Sequence, residues 1–403
     1  MTTMDATTTA DTATGGPASS GGTARTGTGI QVAGRTGAAV ESDLADRRGL
    51  VDADLHIHTV HGFKDIYPYL PTAWRRRFEL KRADTSMNPS TLKIKHPTDN
   101  AIRVDAAAYP GAMPASDPEF TKTDYLERYH VDFAVATSLE AAAFAVALAG
   151  PDEAAVLCSG FNDYFLEHWC EYDSRYRYAL CVSVQDPIQA AAEIRRVGGH
   201  RGVAAVYMPL QNILIGNRHH YPIYEAAQEQ GLPILLHLSG TEGAYQGSVE
   251  ACGGIVENYS ERRAGYGIIG WSNLNNLTFS TTFQRFPELR FAFIEFGFSW
   301  LMAALWRLDT TWQQLRIEVP WLTEPPTELL LRHVRFGTQP IDEPRVASDL
   351  YTLLSMMGTD WLMFTTDYPH WDGDEPETVL RRLAGDQLRQ VMRANGEWMF
   401  RLS

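Results

Sequence analysis

Two histidines, His56 and His58, stand one residue apart at the end of a largely apolar segment that begins at Gly49. Side chains alternate between the two faces of a β-strand, so both imidazoles point to the same side of such a strand. Neutral imidazole is a common ligand of zinc and related divalent ions. The spacing therefore predicts that the two histidines bind one metal ion. The alternative is a strand that carries two histidines without a function.

Two further apolar segments contain residues that commonly bind metals. His237 lies near the carboxyl end of residues 232–239, and Asp367 ends the segment that begins at Trp361. Taken singly, His237 is typical of a core histidine, and Asp367 is typical of a helix or turn cap. Polar groups at the ends of buried strands are costly to bury unless they pair or coordinate a metal. Three such strand ends in one chain favour a shared metal site.

The elements that must position these residues follow a βα pattern from about residue 48, which is typical of a parallel sheet. Eight strands are predicted, the number that closes an α/β fold of the (β/α)8 TIM-barrel type. They span residues 50–56, 131–137, 178–184, 203–208, 233–239, 290–296, 334–339 and 361–367. The carboxyl-terminal ends of the strands carry the active site in such barrels. Glu295 ends the sixth strand on that rim, and we expect it to be catalytic.

Residues 48–403 are predicted to form one barrel domain, because 403 residues with 44% hydrophobic content can bury a large core. The connection after the first strand, from Thr59 to about Thr123, is a long insertion that we expect to form a lid. Residues 1–47 are rich in Thr, Ala, Gly and Ser. Such a composition cannot bury enough surface to offset ordering, so a disordered tail is predicted.

The chain carries a net charge of -14, which argues against nucleic acid or an anionic membrane as partner. A small-molecule substrate is expected instead. No signal-peptide pattern and no apolar run long enough to span a bilayer are present, so a cytoplasmic location is expected. The four cysteines show no paired metal-ligand spacing, which is consistent with thiols in a reducing compartment.

The chain resembles the metal-dependent amidohydrolase superfamily, in the amidohydrolase-2 branch that includes aminocarboxymuconate-semialdehyde decarboxylase and related aromatic-acid decarboxylases. The resemblance covers about residues 48 to 402. It implies one divalent metal, a homodimer, and a role for Asp367 in activating a bound water. The metal ligands implied are His56, His58, His237 and Asp367. The matching motifs are Asp54-x-His56-x-His58, His237, Thr366-Asp367-Tyr-Pro-His370, the segment from Phe286 to Arg290, and Asn395-x-x-x-x-Phe400.

One position departs from the decarboxylase pattern. In those enzymes the sixth strand ends in a catalytic histidine followed by glycines, whereas Glu295 stands here, before Phe296 and Gly297. A glutamate can act as a general base but cannot supply an imidazole. We therefore expect a hydrolase in which a metal-activated water attacks a small carboxylated, aromatic or cyclic substrate, with Asp367 or Glu295 moving the proton.

Two alternatives to the hydrolase remain from the sequence. One is non-oxidative decarboxylation of an aromatic or dienoic acid. The other is a non-catalytic binding protein with a degenerate site, which the complete ligand set makes less favoured. Three imidazoles and one carboxylate indicate Zn²⁺, with Mn²⁺ as the alternative. Candidate substrate-binding residues lie in the loops around the strand ends: Arg103, Arg218, His370 and Trp371.

Overall fold

A computed structural model of the chain describes residues 49–81, 101–148, 150–238, 256–383 and 385–402. The predicted tail at residues 1–47 lies outside the described residues. So do the middle of the predicted lid, residues 82–100, and the segment 239–255 that follows the fifth strand.

Eight parallel strands form one sheet in which each strand lies beside its neighbours in chain order. This arrangement confirms the predicted (β/α)8 barrel. The strands are β1 (Leu50–His56), β2 (Val131–Thr137), β3 (Tyr176–Cys181), β4 (Val203–Pro209), β5 (Ile234–His237), β6 (Phe291–Ile294), β7 (Val334–Gly337) and β8 (Leu362–Met363). The predicted sixth and eighth strands were too long, so Glu295 and Asp367 follow their strands rather than ending them.

The strands are apolar because both faces of the sheet are covered. All residues of β1, β5, β6 and β7 are buried, as expected where helices pack outside and side chains fill the barrel inside. The polar exceptions at the carboxyl-terminal ends, His56 and His237, therefore stand out from a hydrophobic background. Their burial requires an interaction that offsets the loss of hydration.

Helices connect the strands and surround the barrel. Several begin at a side-chain cap; Asp186, for example, accepts hydrogen bonds from the backbone amides of Ile188 and Gln189. Among the described residues, no helix is both long and apolar enough to cross a membrane. The α-helices are α1 (Thr72–Lys81), α2 (Pro118–Thr121), α3 (Leu139–Ala147), α4 (Pro151–Phe165), α5 (Pro187–Val197), α6 (Tyr221–Glu229), α7 (Tyr259–Ala264), α8 (Tyr266–Phe279), α9 (Thr282–Arg285), α10 (Leu301–Leu315), α11 (Pro326–Leu331), α12 (Ala347–Met357), α13 (Gly385–Arg389) and α14 (Asn395–Phe400).

The barrel closes between β1 and the residues that follow β8. The amide of Ala53 donates to the carbonyl of Phe364 at 3.0 Å, and the amide of Asp367 donates to the carbonyl of Asp54 at 3.1 Å. The amide of His56 in turn donates to the carbonyl of Tyr368 at 2.8 Å. We call this contact the β1/β8 seam. It brings His56 and Asp367, which are remote in sequence, to the same place.

Candidate metal centre

Two overlapping groups of potential ligands lie at the carboxyl-terminal ends of β1, β5 and β8. Within each group the nearest ligand atoms are all within 4.8 Å of one another, and every residue is buried. His56 belongs to both groups, so the groups form one cluster. The first group is Asp54, His56 and His237, and the second is His56, Asp367 and His370.

The distances show how tightly this cluster is built. His56 Nε2 is 2.8 Å from Asp367 Oδ1 and 3.5 Å from Asp54 Oδ1. His237 Nε2 is 3.4 Å from Asp54 Oδ2 and 3.6 Å from Glu295 Oε2. The three carboxyl groups and two imidazoles therefore face a common centre, to which β1, β5, the end of β6 and the end of β8 each contribute.

Several of these atoms are buried and make no hydrogen bond of regular geometry, although other polar atoms of the cluster lie near them. They are both carboxylate oxygens of Asp54, Nε2 of His56 and Nε2 of His237. A buried polar atom without a partner costs about 1–3 kcal/mol, so such atoms are uncommon in folded proteins. One divalent cation among them would satisfy all four atoms at once. The residues present therefore fit a metal site of mixed nitrogen and oxygen ligands.

Neighbouring groups orient the ligands. His56 Nδ1 is 2.9 Å from Thr137 Oγ1, and His237 Nδ1 contacts the backbone carbonyl of Leu238, so both rings keep Nε2 directed at the centre. Asp367 Oδ2 accepts a hydrogen bond of 2.8 Å from the side-chain amide of Gln339. Partners of this kind fix the ring and carboxylate orientations of metal ligands.

The backbone is unusual at both carboxylates that follow their strands. Glu295 has a φ of +66° and Asp367 a φ of +61°, a region that residues other than glycine rarely adopt. Such conformations cluster at functional sites, where the surrounding structure holds them in place. Here the turn at each strand end directs a carboxyl group towards the cluster.

Burial and crowding shift the pKa values in the cluster. Burial, reinforced by the charge of Asp367, raises the pKa of Glu295 to about 8. Burial alone would lower the pKa of His237, but the charge of Asp54 raises it to about 10. Burial would likewise lower the pKa of His370, but the charge of Asp367 raises it to about 9. Burial lowers the pKa of His56 well below its usual value. Nearby carboxylates account for the raised pKa values of the two histidines, and a bound cation would compensate the negative charge and favour neutral imidazoles.

The remaining predicted ligand, His58, is buried but belongs to neither compact group. Its Nδ1 lies 3.0 Å from the carbonyl oxygen of Pro114. A ring whose Nδ1–H donates to a carbonyl presents Nε2 as the ligand atom. The arrangement is compatible with metal binding through Nε2, and the role of His58 stays a prediction.

The candidate substrate-binding residues occupy different surroundings. His370 Nδ1 lies 2.5 Å from Asp367 Oδ1, which places this histidine inside the cluster. Trp371 follows it with 55% of its surface exposed, and the guanidinium of Arg263 lies over its ring. Arg103 pairs with Asp105 at 2.8 Å, and Arg218 is exposed in a short 3-10 helix.

Sequence reasoning missed two residues of the cluster. Asp54 offers two unpartnered oxygens, and the same period of two that aligned His56 with His58 also places Asp54 on that face. That signal was available. Gln339, which bonds Asp367, carries no such pattern, because a single glutamine after a strand has many structural uses.

A cavity of about 920 Å³ opens at the same rim. Its wall includes Phe296, Pro340 and Trp371, the residues directly after Glu295, Gln339 and His370. The side chain of Glu295 is 15% exposed. The other aromatic residues of the wall are Tyr259, Tyr266, Trp271 and Trp300. This aromatic cleft is of a size that suits a small ring-containing molecule.

Several solved structures are similar to this chain. A 5-carboxyvanillate decarboxylase from Novosphingobium aromaticivorans, with manganese and 4-hydroxy-3-methoxy-5-nitrobenzoic acid bound, matches with a TM-score of 0.63 at 17% identity, over 89% of this chain and 97% of that one. A dihydroxybenzoic acid decarboxylase from Polaromonas sp., with manganese and the inhibitor 2-nitroresorcinol, has a TM-score of 0.60 at 14% identity, over 88% and 97%. The 5-carboxyvanillate decarboxylase of Sphingomonas paucimobilis has a TM-score of 0.60 at 19% identity, over 88% and 99%.

At these low sequence identities, the structural similarity shows a shared fold and nothing beyond it. No curated protein sequence gives a significant match to the chain. The sequence model of the amidohydrolase family matches residues 51–402, which contain every element of the barrel after Leu50 and the whole ligand cluster. That match confirms the resemblance seen in the motifs, and the chain therefore belongs to the amidohydrolase family.

Proposed function

We propose that this chain is a metal-dependent decarboxylase that removes CO₂ from a carboxylated aromatic acid without oxidation. The observation that carries the proposal is the cluster of unpartnered ligand atoms beside an aromatic cleft. Neighbours with the same fold are named as decarboxylases of carboxyvanillate or dihydroxybenzoate, which favours decarboxylation over the hydrolysis expected from the sequence.

The cation would be held by His56, His237 and Asp367, with His58 through Nε2. Asp54 offers a further carboxylate, which makes the donor set richer in oxygen than the sequence indicated. Carboxylate ligands suit manganese, and sites with more than four donors are unlike the tetrahedral sites usual for zinc. Two of the similar structures contain manganese. We therefore propose Mn²⁺ in place of the expected Zn²⁺. When bound, the cation would stabilise negative charge on a substrate oxygen.

Glu295 is the proposed proton donor. Decarboxylation breaks the bond between the ring carbon and the carboxylate, leaves the electron pair on the ring carbon, and adds one proton there. The carboxyl group of Glu295 lies 3.6 Å from His237, and the next residue, Phe296, lines the aromatic cleft. A carboxyl group placed in this way can deliver a proton to carbon. Water then restores the proton.

Asp367 and the cleft complete the proposed site. Gln339 and His370 hold the carboxylate of Asp367 from two sides, so its position is fixed before substrate arrives. Aromatic walls such as Trp300 and Tyr259 can pack against a substrate ring. Arg263, which pairs with Asp372 at 2.7 Å, places positive charge at the cleft wall, where an acidic substrate would enter.

The direct assay measures the CO₂ that is released. We expect the full chain loaded with Mn²⁺ to release CO₂ from a panel of carboxylated phenols that includes 5-carboxyvanillate and 2,6-dihydroxybenzoate. The amount of CO₂ should equal the acid consumed, and chelator-treated protein should release none.

Two results would contradict the proposal. Hydrolysis of esters, amides or lactones of the same rings, without CO₂, would return the hydrolase to first place. Tight binding of these acids by the metal-loaded protein without any turnover would support the non-catalytic alternative. The homodimer implied by the resemblance stays a separate prediction.

A further inference from the structure

Asp52 is a charged residue deep inside the barrel that the proposed chemistry does not use. It lies on β1 below the cluster, two positions before Asp54, and is fully buried. Its Oδ1 accepts hydrogen bonds from the backbone amides of Asp54 at 3.1 Å and Thr366 at 3.0 Å. Its Oδ2 accepts from Thr366 Oγ1 and from Tyr125, both at 2.7 Å. One side chain thus receives four hydrogen bonds.

The two bonds from Thr366 cross the β1/β8 seam. Regular pairing of β8 ends at Met363, and its register partners lie on β7. The residues that follow β8 reach β1 through isolated backbone bonds, and Thr366 is the residue directly before Asp367. Asp52 therefore joins the backbone of one candidate ligand, Asp54, to the backbone beside another, Asp367.

Stability alone does not account for a carboxyl group at this position. Moving a carboxylate from water into a barrel interior is costly, and well-packed apolar residues often serve stability equally well at such sites. What an apolar residue cannot do is accept two amides from different strands and fix the separation of those strands. The bonds from the amides of Asp54 and Thr366 to Oδ1 of Asp52 provide that function.

We propose that Asp52 is a positioning residue that sets the spacing of the β1 and β8 ligands and so raises the affinity of the cluster for a divalent metal. The inference rests on the metal centre of the proposed function. Asp52 acts through Asp54 and Thr366, and its own oxygens bond amides and hydroxyls rather than facing the cluster.

Two substitutions separate positioning from charge. Asp52→Ala leaves two amides and two hydroxyls without their acceptor at the point where both ligand-bearing segments meet. Asp52→Asn keeps Oδ1 as the acceptor of both amides, and the hydroxyls of Tyr125 and Thr366 can turn to accept from the new amide group. The asparagine variant should therefore preserve the spacing without the charge.

The experiment measures Mn²⁺ affinity by competition with a chromophoric chelator, at a temperature where circular dichroism shows each variant to be folded. We expect Asp52→Ala to bind Mn²⁺ about 10- to 100-fold more weakly, the range seen when partners of metal ligands are removed. Asp52→Asn should stay within about threefold of the wild type by the same scale. Tyr125→Phe is the matched control, since it removes one bond to Asp52 but none between the strands. It should lower the melting temperature and leave Mn²⁺ affinity near that of the wild type.

Wild-type affinity in folded Asp52→Ala, with only a lower melting temperature, would overturn the inference and leave the metal centre intact. If Asp52→Ala does not fold, Asp52→Leu gives the answer, because leucine is branched at the same atom and leaves no cavity but accepts no hydrogen bond. Weaker Mn²⁺ binding by folded Asp52→Leu supports positioning, and unchanged binding overturns it. Wild-type protein that binds no Mn²⁺ would overturn the metal centre itself, and with it this inference.

Discussion

Replacing His237 with alanine is expected to remove the bound metal and abolish turnover while the barrel stays folded. His237 ends β5, and its Nε2 faces the cluster without a hydrogen-bond partner. Its Nδ1 contacts only the carbonyl of the next residue, Leu238, so no bond between elements is lost at that atom. Loss of one imidazole from a site of four or five donors should lower metal affinity well beyond tenfold.

Elemental analysis of purified His237→Ala, with a thermal unfolding curve, checks this result. His333→Ala is the matched control, because His333 is also a buried histidine but lies just before β7, at the opposite end of the barrel. Its Nδ1 bonds the carbonyl of Leu289 at 2.8 Å. The control should lose stability and keep its metal. Full metal occupancy in His237→Ala would exclude His237 as a ligand.

Glu295→Gln is expected to keep the metal and the substrate affinity but to lower kcat by about two to four orders of magnitude, the usual contribution of a positioned acid or base. The glutamine amide has the shape of the carboxyl group but has no acidic proton to transfer. The backbone at this position has a positive φ. Glutamine and glutamate differ only at the end of the side chain, so the substitution should preserve the turn that directs the side chain.

The rival explanation is that Glu295 is a buried structural acceptor. In that case Gln would be a mild change, whereas Ala would destabilise the fold. Steady-state kinetics, metal content and melting temperature of Glu295→Gln and Glu295→Ala separate the two explanations. Turnover of Glu295→Gln close to that of the wild type would remove Glu295 from the catalytic assignment and leave Asp367 as the remaining carboxyl group for proton transfer.

The sequence was sufficient for the barrel and for the strands that carry the cluster. Alternation with period two places His56 and His58 on one face, and continuous apolar runs mark strands buried on both sides. The predicted bounds of β1 and β2 match the structure. These features are local, so they can be read from a single chain.

Features that depend on distant contacts could not be predicted. The early end of β8 and the left-handed backbone at Glu295 and Asp367 arise where the strands meet the loops, and no local pattern marks them. Thr366, which donates two of the four hydrogen bonds that Asp52 accepts, lies more than 300 positions from Asp52 in the sequence. A buried aspartate in an apolar run indicates that hydrogen-bond donors or a cation must contact its carboxyl group, but the run does not identify these partners.

The preference for hydrolysis rested on one residue type. By residue type alone, Glu295 in place of a histidine argues against decarboxylation, because a glutamate cannot supply an imidazole. In the structure its carboxyl group lies 3.6 Å from His237, and the next residue, Phe296, lines the aromatic cleft, so a role as proton donor is proposed for it. Position in the site is therefore more informative than residue type about which proton transfer is feasible.

If the metal-loaded site replaces a carboxylate on a ring by a proton, the new ring hydrogen must come from the solvent. The Mn²⁺-loaded enzyme is run in D₂O on the carboxylated phenol that it consumes, and the product is examined by mass spectrometry and proton NMR. We expect one deuterium at the ring carbon that held the carboxylate and one CO₂ for each product molecule. A product that retains the carboxylate and has gained solvent oxygen, with no deuterium on the ring and no CO₂, would contradict it.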